Sequence, residues 1–121
     1  MIKKTVTYTD YNDVERTEDF YFNLSKAEVA EMELSVDGGL SKMLKDIVAS
    51  KDNKQIVAIF KDIVLKSYGE KSADGRRFMK SPEIAEAFSQ TEAYVEIFME
   101  LALNEGAAID FVNGILPKEM K

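Results

Sequence analysis

The chain opens with extended runs and then changes to apolar positions at helical spacing. Residues 2–8, "IKKTVTY", are rich in Thr, Val and Tyr and predict a strand. "YNDV", residues 11–14, carries turn chemistry in Asn12 and Asp13. The extended pattern resumes over residues 15–22, where Phe20 and Phe22 share one face. This is a β-hairpin. Two strands alone are marginal in water, so the hairpin must pack on helices or pair with another chain.

From residue 24 the period becomes helical. Ser25 and Glu28 form a capping box, and Leu24 and Val29 are spaced as a hydrophobic staple. They open a helix over about 25–34, which "VDGG" ends. A second helix is expected from Gly39, with Leu40, Met43, Leu44, Ile47 and Val48 as its stripe. A third runs over 53–67, with Ile56, Ile59, Phe60, Ile63 and Val64 on one face and Tyr68 and Gly69 as its exit. Ser81 caps a fourth, short helix that has Pro82 at its first position and carries Ile84, Ala85 and Phe88. Ser89 and Glu92 read as a capping box for a fifth helix, with Tyr94, Val95, Phe98, Leu101 and Ala102 inward. Asn104 caps a sixth over 105–115, with Ala108, Phe111, Val112 and Ile115 inward, and Pro117 stops it. The expected fold is α+β but mainly α: a hairpin (1–23), a compact bundle of about six helices (24–117) and a short tail (118–121), all in one domain.

Composition narrows the function. With 45% hydrophobic and 31% charged residues the chain is globular rather than disordered. It has no cysteine and no histidine, which removes disulfides, thiol chemistry, the usual general base near neutral pH and the commonest zinc ligand. An enzyme is therefore not expected, nor a metal or cofactor. No apolar run is long enough for a membrane helix and no signal peptide is seen, so a cytoplasmic protein is expected. The net charge of -6 disfavours nucleic acid unless positive charge is gathered in one patch.

One such patch exists. Residues 70–80 hold Lys71, Arg76, Arg77 and Lys80 against Glu70 and Asp74. A phosphate cradle needs glycines that let backbone N–H groups converge, and "SADGRR" has a single glycine and no P-loop pattern. The plainer reading is an Asp-Gly turn joining two helices, with Arg76 and Arg77 paired to surrounding carboxylates. Phe78 and Met79 would then pin the loop to the core or to a neighbouring subunit. The second candidate is an acidic row, Glu92, Glu96 and Glu100, at i, i+4 and i+8. Carboxylates alone are a weak signal for a hard cation. The row reads as a solvated face, or as the counterpart of the basic loop on another copy. Met32, Met43, Met79 and Met99 suit core filling, and together suit a protein that binds hydrophobic segments.

Three strings in order, "SYGEKSADGRRF", "FSQTEAY" and "FVNGILP", give the chain a specific likeness. Over roughly residues 20–117 it resembles the tail assembly chaperones of long-tailed phages and prophages. The resemblance implies a non-catalytic protein of the host cytoplasm, not expected in the mature virion. It implies binding to the tape measure protein, whose hydrophobic stretches such chaperones keep soluble until the tail tube polymerises. It also implies, in many such phages, a longer frameshift product of the same gene; self-association is expected beside it, from the opposite-sign patches. The residues expected at a partner or self-association surface are Arg76, Arg77, Phe78, Glu92, Glu96 and Glu100. The competing reading is a phage-encoded nucleic-acid-binding regulator that uses the basic loop 70–80.

Overall fold

The computed structural model describes residues 1–35 and 53–117. The chain runs β1 (Ile2–Thr9), β2 (Glu15–Phe22), α1 (Lys26–Ser35), α2 (Asn53–Ser67), β3 (Tyr68–Lys71), β4 (Phe78–Met79), α3 (Pro82–Ser89), α4 (Glu92–Leu103) and α5 (Glu105–Ile115). The second helix expected from Gly39, with Met43 in its stripe, lies outside the described residues, as does the 118–121 tail.

The N-terminal hairpin forms as expected. β1 and β2 pair antiparallel along their whole length, from Ile2 opposite Phe22 to Thr9 opposite Glu15. The turn is organised one residue earlier than "YNDV" suggested. The Asp10 carboxylate accepts from the backbone N–H of Asn12 at 2.8 Å and of Val14 at 3.0 Å. Asp13 takes the left-handed conformation, at φ 59°. The hydrogen bond from the Arg16 guanidinium, and then that from Val14 N–H, hold the Asp10 carboxyl below the usual carboxylate range.

The mainly helical bundle does not survive. The described residues form five helices and a four-stranded antiparallel sheet in the order β1-β2-β3-β4. The added strands come from the stretch read as a helix exit and a basic loop. Tyr68 and Gly69 do not merely end α2. They pair with Phe22 and Tyr21, so the chain leaves the helix directly into the sheet. Glu70 and Lys71 then pair with Met79 and Phe78. The Asp74–Gly75 turn therefore closes a hairpin rather than joining two helices. Asp-Gly between strands is a hairpin signal, but strands of four and two residues are too short to show a period of two.

The core lies where the sheet meets the helices. Phe22, Phe60, Ile63, Val64, Phe88, Ile97, Leu101, Phe111 and Ile115 are buried together, with Leu24 and Val29 closing it near α1. Phe22 is the aromatic centre. Its ring lies 5.7 Å from Tyr68, 5.8 Å from Phe88 and 5.2 Å from Phe111. Tyr68 stacks on Phe88 at 3.9 Å, with the rings 12° from parallel.

Three helix starts follow the expected chemistry. Ser25 and Glu28 bond reciprocally at 2.9 and 3.1 Å, Ser81 Oγ accepts from Ile84 N–H, and Asn104 Oδ1 accepts from Ala107 N–H. The fourth is a correction. α4 is capped by Thr91, whose hydroxyl accepts from Tyr94 N–H, whereas Ser89 donates back to the Glu86 carbonyl. Both hydroxyls offered a cap, and the Phe88–Thr91 turn selects the later one.

Burial of Tyr68 pushes its phenol up to about 12. A raised acid holds its proton longer in the folded chain than in the unfolded one. The stabilisation is thus complete below the ordinary tyrosine value near 10 and is lost as pH rises toward 12. Alkaline titration monitored by circular dichroism should show cooperative unfolding in that window, and Tyr68→Phe should move the transition to higher pH.

Candidate functional site

The basic stretch is a hydrogen-bonded turn, and among the described residues two of its four cations have no carboxylate partner. Within the turn, Asp74 accepts from the Ser72 hydroxyl at 2.7 Å and from Arg76 N–H at 3.0 Å. Arg77 N–H donates to Ser72 Oγ at 3.0 Å, and Gly75 sits at φ 74°. The Ser72 hydroxyl, followed by Arg76 N–H, holds the Asp74 carboxyl below its usual range. Asp74 is thus committed to its own turn and not to an arginine. Lys71 lies over the Tyr21 ring at 4.5 Å. Lys80 reaches back to α1, donating to Glu28 and to the Asn23 carbonyl, each at 2.6 Å.

The expectation that Arg76 and Arg77 pair with nearby carboxylates is not met. Both side chains are exposed, and among the described residues neither guanidinium meets a carboxylate. Phe78, next in the chain, is half-buried on β4 with its ring against Gly69. A Cβ on Gly69 would sit 2.7 Å from that ring and 3.0 Å from the Met79 carbonyl. Gly69→Ala should therefore cost about 1–3 kcal/mol by overpacking, read as a lower urea midpoint, with Phe78→Ala relieving part of the loss.

The acidic row is only partly free. Glu100 accepts from Lys4 on β1 at 3.2 Å, and the Glu92 carboxylate beside Tyr11 raises that phenol's pKa. Glu96 is exposed in the same cleft as Tyr8, Asp10 and Asp13. Among the described residues no group of three or more Asp or Glu is arranged to hold a metal ion.

Beside this row lies an apolar surface that includes Val95, a residue expected inward. α4 buries Ala93, Ile97 and Leu101. Val95, expected in the core, is 41% exposed; Met99 is 45% and Leu103 79% exposed. These three stand at i, i+4 and i+8 and form an outward apolar row. Each lies three residues after a glutamate (Glu92–Val95, Glu96–Met99, Glu100–Leu103), the spacing of surface neighbours on a helix. The result is an apolar stripe with a carboxylate border. The signal was present as apolar residues filling α4 between its glutamates. Three apolar residues between successive glutamates leave the inward face undefined without a partner element.

Among the described residues no helix is long and apolar enough to cross a membrane. No curated protein and no solved structure matches the chain. A sequence-family model described as phage tail assembly chaperone matches residues 1–121, the whole length, and the chain therefore belongs to the phage tail assembly chaperone family.

Proposed function

We propose that the chain binds the tape measure protein of the tail and keeps it soluble until the tube assembles, without catalysis. The α4 stripe is the observation that carries this reading. Val95, Met99 and Leu103 offer apolar contact along about two turns of helix, the length over which an amphipathic partner helix repeats its own apolar positions. The carboxylates beside it favour a partner whose apolar stripe is edged by Lys or Arg. Val95, Met99 and Leu103 are the primary contact, with Glu92, Glu96 and Glu100 at its rim. Arg76 and Arg77, held out by the rigid turn and by Phe78, form a second contact with acidic groups of the partner or of a neighbouring copy. Several weak contacts of this kind add by avidity and are still released stepwise. The protein acts in the host cytoplasm as a homo-oligomer, alongside a longer frameshift product where the gene encodes one.

The nucleic-acid reading has less behind it. Of the four loop cations, Lys71 and Lys80 are engaged with Tyr21 and Glu28, which leaves two arginines on a chain of net charge -6. Co-expression with the tape measure protein tests the proposal. A soluble complex is expected, and continued aggregation of the tape measure protein contradicts it.

A further inference from the structure

Two unpaired edges of the sheet, besides that of the short β4, carry opposite charge. β1 is the outer strand and carries Lys3 and Lys4 with no acid. No backbone group on its outward side has a partner among the described residues. The other edge is hidden in the middle of the sheet. β3 pairs with β2 only at Tyr21 and Phe22 and then turns away toward β4. Residues Glu15–Asp19 of β2 are left paired on one side only, with three carboxylates and one arginine. A wedge of about 570 Å³ opens there, bordered by Glu18, Phe20, Tyr21 and the β3–β4 turn. Arg16 and Glu18, on the face that elsewhere meets the helices, are exposed, so no described helix lies beneath this part of β2.

We infer that β1 of one copy adds as a strand to the free Glu15–Asp19 edge of the next, joining the chains head to tail through a shared antiparallel sheet. Unpaired strand edges are templates for such addition. The faces set the register. Lys3, Thr5 and Thr7 lie on the outer face, as do Asp19, Thr17 and Glu15, because Thr5 pairs with Asp19 and Thr7 with Thr17 within one hairpin. Between copies, a register two residues removed from the internal one keeps every face and places Lys3 opposite Asp19, Thr5 opposite Thr17 and Thr7 opposite Glu15. On the inner face it places Lys4, which also holds Glu100 of its own copy, opposite Glu18. A second β1 offers no carboxylate to Lys3, so the acidic edge is the favoured partner. The exposed inner side of Arg16 and Glu18 leaves room for the helices that travel with the incoming strand. The contact is heterologous, so repetition gives a ring or a filament and not a closed dimer. The inference concerns this chain alone and stands whether or not the tape measure protein is its client.

The absence of cysteine makes the test direct. Single variants Lys3→Cys and Asp19→Cys of different mass are mixed and oxidised, with Glu15→Cys and Thr17→Cys as register controls. Opposed strand residues are about 4.5–5.5 Å apart at Cα, within disulfide reach. The mixed 3–19 disulfide should dominate. Linkage of position 3 to 15 or 17 instead, or to itself, overturns the proposal, and so does no linkage. Lys3→Glu should weaken self-association of the full chain about tenfold in sedimentation, and adding Asp19→Lys should restore it. In the wild type, raising the protein concentration should slow amide exchange in β1 and Glu15–Asp19; unchanged exchange there also overturns it.

Discussion

Phe22→Ala should lower the unfolding free energy by about 3–5 kcal/mol, the largest loss expected from any single substitution here. The side chain is fully buried, and its ring meets Tyr68 from β3, Phe88 from α3 and Phe111 from α5. Removing it leaves a cavity where four elements meet, and these rings have no slack to close it. Small domains have about 5–15 kcal/mol of stability in total, so the variant stands near the edge of folding. Chemical denaturation monitored by tyrosine fluorescence and circular dichroism measures the loss. Phe22→Leu, which keeps most of the volume, should lose far less. If the two variants are equally stable, Phe22 does not organise the core as described.

The second large effect is on binding and leaves the fold intact. Met99→Asp with Leu103→Asp should weaken tape measure binding by about 2–4 kcal/mol, roughly 30-fold to 900-fold. Leu103 is 79% and Met99 45% exposed, so the two changes together should cost no more than about 1–2 kcal/mol of stability. The double variant should therefore stay soluble and folded while its co-expressed partner aggregates. Changing Arg76 and Arg77 to alanine should have a smaller effect that fades as salt is raised. A double aspartate variant that still yields a soluble complex would remove the stripe from the account.

What the sequence showed depended on the range of the interaction. The Ser25–Glu28 box, the Ser81–Pro82 start and the Asn104 cap are contacts between near neighbours, and all three stand where side-chain chemistry placed them. β3 was not legible, because "YGEK" has no alternation and becomes a strand only by pairing with Tyr21 and Phe22, more than forty residues earlier. The same limit explains the acidic row. Glu100 has its partner in Lys4, 96 residues away in the chain. On α4, apolar residues fill nearly every position between the glutamates. The inward face was fixed by the sheet and by α2 and α5, which select Ala93, Ile97 and Leu101 and leave Val95 outside. Arg76 and Arg77 were singled out on charge, but that Asp74 is held by its own turn could be read only from the folded loop.

The central claim is that the outward row of α4 receives the tape measure protein. A photo-reactive residue in place of Leu103, in the complex formed by co-expression, tests it most directly. The account predicts cross-links from position 103 to the tape measure protein and few from Thr5, on the outer face of the sheet. Cross-links from Thr5 with none from position 103 would contradict it.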